Sequence, residues 1–260
     1  MTVSPHTAGR RLNLAAKVSA EEWQQRLDLA ACFRLMAHYG MADLTFTHVS
    51  ARVPGEPDCF LINPFHVMFE EVTASSLVKI GLDGKARHDT PYQVNPAGFT
   101  IHSAVQAARP DAVCALHTHS TAGIAVSSLE CGLLPMSQTA LRFHGNLAYH
   151  DYEGVAIDHD ERPRLARDLG DKHAMVLRNH GLLTVGRSVA EAFVLMHRLE
   201  FACRAQLQAQ AAGTKLVALS DNTLNHAAQQ FKTLMPGIYG DLEWPSLLRL
   251  CDRLDPSYKD

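Results

Sequence analysis

Two short runs, Val113-Cys114-Ala115-Leu116 and Ala174-Met175-Val176-Leu177, are apolar at every position and are bounded by residues that break helices. Arg109-Pro110 precedes the first and His117-Thr118-His119 follows it, while Gly170 precedes the second and Asn179-His180-Gly181 follows it. Four residues are too few for a helix, and a strand without polar alternation is covered on both faces. Helical patterns surround both runs, so the chain reads as an α/β protein with helices flanking a sheet. Its 260 residues, 47% hydrophobic and 20% charged, supply a sizeable core and are too balanced for a disordered, collagen-like or coiled-coil chain.

The local signals are dense. Ser19 and Glu22 form a capping box that opens a helix running to Gly40, and 1–18 reads as a flexible tail ahead of a single domain over 19–260. Asp43 to Val53 and Cys59 to Asn63 read as strands joined at Pro54-Gly55, and Asp83-Gly84 is a hairpin turn. Asn95-Pro96 starts a helix that stops before Arg109-Pro110, and another begins near Ser120. Gly132 to Asp160 reads as irregular except for a strand near Leu147 to Tyr149. Arg162 to Leu169 is a short helix. Leu182 to Val185 is a strand, Ser188 and Glu191 cap a long helix to Gly213, and a further helix covers Asn222 to Leu234 before a Pro, Gly and aromatic tail.

Charge removes several function classes. Lys plus Arg is 24 against 27 Asp plus Glu, which leaves no basic footprint for nucleic acid and no polybasic patch for a membrane surface. No long apolar run follows Arg10-Arg11, so neither a signal peptide nor a membrane span is expected, and a cytoplasmic location is the default. The six cysteines are scattered without a C-x-x-C pair, which fits free core thiols and excludes a zinc ribbon.

The sequence holds 15 histidines, and three of them form a pattern. His117 and His119 are two apart at a strand end, where alternate side chains share a face. His180 sits at a tight turn, and Gly181 behind it permits close backbone approach. Three histidines with an open position describe a catalytic metal site rather than a structural one. The spacing alone is weak in a chain this rich in histidine, and satisfied core or surface histidines explain it about equally well.

Taken in order, four segments resemble the class II aldolase/adducin family. They are NPAGFTIHSAVQAARPDAVCALHTHS (Asn95 to Ser120), GLLP (Gly132 to Pro135), AYHDYEG (Ala148 to Gly154) and LRNHGLLTVGRSVAEAF (Leu177 to Phe193). The resemblance spans about Trp23 to Gln210 and is closer to the adducin head-domain branch than to the sugar-phosphate aldolases. It implies a three-layer α/β/α fold around a mixed, largely antiparallel sheet and a homotetramer. It also implies one divalent ion held by His117, His119 and His180, zinc first, with manganese, iron, cobalt or nickel accepted by the same imidazoles.

The chain departs from the aldolase pattern in two ways. The carboxylate that handles the proton in the aldolases falls at Gly98, which has no side chain to do so. The phosphate-binding pairs fall at Thr47-His48, Pro96-Ala97 and Asn63-Pro64, which mostly erases phosphate recognition. The expected activity is therefore an aldolase- or decarboxylase-type lyase that cleaves a small, non-phosphorylated keto or hydroxy acid through a metal-stabilised enolate. His48 is the candidate for proton handling, with Thr47 and Asn63 for substrate binding. Each also reads as an ordinary loop residue. His102 reads as a packed or ligand-orienting residue, His144, His150, Tyr149 and Tyr152 are further candidates for carrying the proton, and Glu70 and Glu71 read as solvated or helix-capping charges. The alternative is a non-enzymatic module, since in adducins this fold is an oligomerising head. The basic tail through which adducins attach has no counterpart up to Asp260, so those interactions are not carried over.

Overall fold

The computed structural model describes residues 14–234 and 240–260, so most of the expected N-terminal tail lies outside the described residues. Helix α1 (Ala20–His38) begins where Ser19 Oγ accepts from Glu22 N at 3.0 Å, and it stops before Gly40, whose φ of +68° suits a residue without a side chain. Only half of the expected capping box forms. The Glu22 carboxylate turns inward instead, to Arg26 and Lys79 at 2.9 Å each, because an ion pair in the buried wall of the helix outweighs one exposed cap bond.

Strands β1 (His48–Val53) and β2 (Glu56–Ile62) form the hairpin expected at Pro54-Gly55, although 43–47 is a chain of turns rather than strand. Strand β3 (Val78–Gly81) follows, then α2 (Pro96–Ala108), capped by the Asn95 side chain on Ala97 N. Next come β4 (Cys114–Thr118), α3 (Thr121–Ser127) with Ser120 as its cap, and α4 (Gln138–Leu141). The last of these is a short helix inside the segment expected to be irregular, set by Ser137 on Ala140 N. The chain continues through β5 (Leu147–His150), α5 (Arg162–Leu169), β6 (Ala174–Leu177) and β7 (Gly181–Gly186) to the long α6 (Val189–Ala211) and α7 (Asp221–Leu234). Residues 235–239 of the expected Pro, Gly and aromatic tail lie outside the described residues, and its later part forms a helix, α8 (Trp244–Leu254). It is anchored on α1 by Trp244 Nε1 donating to Asp28 Oδ1 at 2.8 Å.

The seven strands lie in the order β3-β2-β1-β4-β7-β6-β5, and every neighbouring pair is antiparallel except β5 with β6. Alternate residues face opposite layers. Leu116, Val176 and Leu182 pack under α1, α6 and α8, while Ala115, Met175, Leu177 and Leu183 pack against Ile101 and Val105 of α2 and Leu165 and Leu169 of α5. This is the three-layer α/β/α arrangement with a mixed, largely antiparallel sheet. Among the described residues no helix is long and apolar enough to cross a membrane. Four cysteines are buried, but Cys59 is half-buried and Cys131 exposed, so the thiols are not all in the core.

Candidate metal centre

The end of β4 gathers the site. His117 is the strand's penultimate residue and is buried, and its register partners are His48 on β1 and Leu183 on β7. His119 follows one residue beyond the strand, just before the α3 cap. His180 lies in the turn between β6 and β7, where its N–H donates to Leu177 O at 3.1 Å. The residue before it, Asn179, has φ +56°, a left-handed conformation that asparagine tolerates better than most side chains. Gly181 then brings β7 against β4 so closely that a Cβ there would lie 2.2 Å from Thr118 O.

The three rings converge through their Nε2 atoms. His117 Nε2 and His180 Nε2 each lie 2.9 Å from His119 Nε2. His117 Nδ1 is 2.9 Å from Leu182 O, and a carbonyl can only accept, so that nitrogen carries the proton. His119 Nδ1 likewise donates to Asp43 Oδ2 at 3.0 Å. Burial holds His117 well below the ordinary histidine range and lowers His180 to about 4, so both are neutral. The protonated Nδ1 atoms turn the Nε2 lone pairs toward one another. One proton at that point satisfies one neighbour, whereas a cation satisfies all three, and the three donors lie close enough together to hold one metal ion. Asp43 is the residue that sequence reasoning missed. Its turn, closed by Phe46 N on Asp43 O at 2.8 Å, contains Leu44 at positive φ and is followed by Thr47, also at positive φ, and no spacing rule ties it to His119.

The sequence-nominated residues beside the triad are also gathered here. His48 opens β1, its ring centroid 5.1 Å from that of His117, and it lies directly over Gly98, where a Cβ would be 2.5 Å from His48 Cδ2. The missing side chain at 98 is thus the space that the His48 ring fills. Burial pushes His48 well below its ordinary range, with His102 next in effect. Thr47 Oγ1, His48 Nδ1 and Asn63 Oδ1 are buried polar atoms without a partner in the structure, and Asn63 Nδ2 reaches Thr47 O at 3.5 Å. His102 is packed, with Nδ1 2.6 Å from Ser50 Oγ and its ring against His48 rather than against the triad.

The remaining candidates separate. Tyr149 Oη accepts from Leu133 N at 3.1 Å, and with His144 it lines a cavity of about 160 Å³ whose walls include none of the three histidines. Tyr152 is exposed, its ring 6.3 Å from that of His180. His150 is buried between Glu161 and Asp168. Glu71 caps its own short turn by accepting from Met68 N at 3.0 Å. Among the described residues, His117, His119 and His180 are the one cluster of histidine, cysteine or carboxylate side chains close enough to share an ion.

Comparison with known proteins gives a consistent picture. Residues 27–207 match the family model described as the class II aldolase and adducin N-terminal domain. A Pseudomonas aeruginosa protein whose name places it with class 2 aldolases is 51% identical over 95% of this chain and 96% of its own length. Alpha-adducin of Mus musculus is 43% identical over 88% of this chain, which spans only 33% of that longer protein. The solved structure of an L-fuculose 1-phosphate aldolase from Glaciozyma antarctica superposes with a TM-score of 0.82 at 28% identity, covering 99% of this chain and 97% of that one.

Proposed function

The chain belongs to the class II aldolase and adducin family, and from that premise we propose that it is a divalent-metal-dependent carbon–carbon lyase of the aldolase or decarboxylase type. Its substrate is a small keto or hydroxy acid without a phosphate. The observation that carries this reading is the convergence of three Nε2 atoms, two of whose rings are held from behind through Nδ1.

His117, His119 and His180 would hold the ion, which we take to be zinc. When bound, such an ion polarises carbonyl oxygens and stabilises the negative charge that appears when a carbon–carbon bond breaks. The protein's part is positional. Leu182 O and Asp43 orient two of the rings, and Gly181 lets β7 approach near enough for the third to join them. His48 stands beside this point with one unpartnered nitrogen and takes the acid–base role that Gly98 has no side chain to fill. Thr47 and Asn63, whose buried oxygens lack partners, would receive the substrate's polar groups, since a buried polar atom left unpaired is costly unless a ligand or water completes it. The working form is taken to be a cytoplasmic homotetramer.

A second reading, an adducin-like assembly module, draws on the similarity to alpha-adducin and on the absence of a carboxylate at Gly98. Elemental analysis separates the two. We expect one divalent ion per chain, lost in His119→Ala with the fold intact by circular dichroism, and carbon–carbon cleavage within a panel of small 2-oxo and hydroxy acids. A metal-free oligomer that cleaves none of them would establish the scaffold reading instead.

A further inference from the structure

Beside His180, on the α2 and α5 face of the sheet, lies a polar cluster that the reading above leaves unused. His150, the last residue of β5, is 4% exposed, and both of its ring nitrogens meet carboxylates. Nδ1 is 2.7 Å from Asp168 Oδ2 and Nε2 is 3.3 Å from Glu161 Oε1. An ionised carboxylate only accepts, so either the ring carries protons on both nitrogens or one proton has moved to Glu161 and Nε2 accepts it. In both forms a single mobile proton lies between His150 Nε2 and Glu161. Burial alone would raise the Asp168 carboxyl, but hydrogen bonds from His150 and Arg167 hold it below the usual range, so Asp168 stays charged and does not compete for that proton.

The pair opens toward the triad. Glu161, 7% exposed at the start of α5, joins His150, Tyr152, Ile101 and His180 in the wall of a cavity of about 10 Å³, the space of one water molecule. Of the other two carboxylates in that wall, Glu153 is engaged by Arg164 at 2.7 Å and Asp151 is exposed rather than buried. A buried carboxylate backed by an imidazole and sharing a water-sized cavity with a metal-type histidine is costly to fold and has no packing role that an apolar residue could not fill.

We propose that Glu161 delivers and recovers the reaction's proton on the His180 side of the site, with His150 as the proton store behind it and Asp168 as the group that positions His150. The proposal rests on the lyase reading. When the carbon–carbon bond breaks, the electron pair left on carbon takes the Glu161 proton, directly or across one water, and a C–H bond forms. Glu161 is left ionised and His150 neutral with its Nδ1 proton on the Asp168 side, and the pair regains its one shared proton from solvent as product leaves. His48 remains on the opposite, β1 side, so the two groups serve different faces of the substrate.

The test uses the zinc-loaded full chain with pyruvate in D₂O, following loss of the methyl proton signal by NMR, together with ¹⁵N-histidine spectra of the metal-free protein. By microscopic reversibility the group that delivers the proton also removes it, so exchange reports the relay without knowledge of the natural substrate. We expect Glu161→Gln to slow exchange by at least ~100-fold with zinc content unchanged, Glu161→Asp to recover part of the rate, and His150→Asn to fall between. In the spectra, Glu161→Gln should move the His150 Nε2 resonance and leave Nδ1, held by Asp168, in place. Full exchange by Glu161→Gln, or an unmoved Nε2 resonance, overturns the relay while the lyase reading stands. A zinc-loaded wild type that exchanges nothing overturns the lyase reading and the relay together, and is recognised because no variant need be compared.

Discussion

Replacing Gly181 with alanine adds one methyl group where β7 meets the end of β4. Its Cβ would lie 2.2 Å from Thr118 O and 3.3 Å from Thr118 C, and both obstacles are backbone, so no side chain can swing aside to admit it. Ordinary contact begins near 3.4 Å, so the strands must part locally by about 1 Å. The next register pair is Thr118 with Leu182, and Leu182 O is the acceptor that holds His117 Nδ1 at 2.9 Å. A separation of that size breaks the bond and withdraws His180 from the other two rings. Overpacking of this kind costs about 1–3 kcal/mol of stability, and loss of a ligand's outer partner lowers metal affinity by roughly 10–100-fold. Urea unfolding of the metal-free protein reads the first quantity, and zinc titration against a competing chelator reads the second. Gly186→Ala is the control. Its Cβ would lie 2.5 Å from Ala192 N at the far end of the same strand, so it should lose comparable stability with affinity unchanged. Wild-type affinity in Gly181→Ala, or equal affinity losses in both variants, would refute the claim that close strand approach builds the site.

Further outcomes follow from the same geometry. Asp43→Asn, which keeps the shape but removes the charge that accepts from His119 Nδ1, should weaken zinc binding by roughly 10–100-fold in the same chelator assay, with little change in unfolding. His102, fully buried, is lowered by desolvation to about 3 from an ordinary value of 6.5. The unfolded chain therefore takes up a proton that the folded chain refuses. Its contribution to stability is complete above pH 6.5 and declines as pH falls toward 3, by about 1.4 kcal/mol per pH unit, and urea midpoints of His102→Gln against wild type across that range should show the slope reduced by that amount.

Local order was written in neighbouring residues. Ser19, Asn95, Ser120 and Ser188 cap the helices that their positions announce, and Gly40 and Gly170 stop theirs, because a cap or a stop is settled within one turn of chain. The two apolar runs became β4 and β6, covered on both faces. Helix α8 went unread because Pro245 and its aromatic neighbours look like a loop, whereas proline in a first helical turn costs nothing and Trp244 finds its partner on α1. Even Glu22, a correct helix-start residue, turned its carboxylate elsewhere once Arg26 and Lys79 arrived beside it.

The sequence by itself determined the layered α/β architecture and nominated the three imidazoles, since strand periodicity, turn glycines and short spacings are properties of adjacent residues. Only the tertiary structure decided that His180 meets His119, that Asp43 stands behind His119, that His48 fills the space above Gly98, and that Glu161 and Asp168 enclose His150. Those contacts join residues 11 to 76 positions apart, brought together by the packing of separate elements rather than by any local pattern. A slip of one residue between β4 and β1 or β7 would carry His117 to the face of the sheet opposite His48 and part it from Leu182 O.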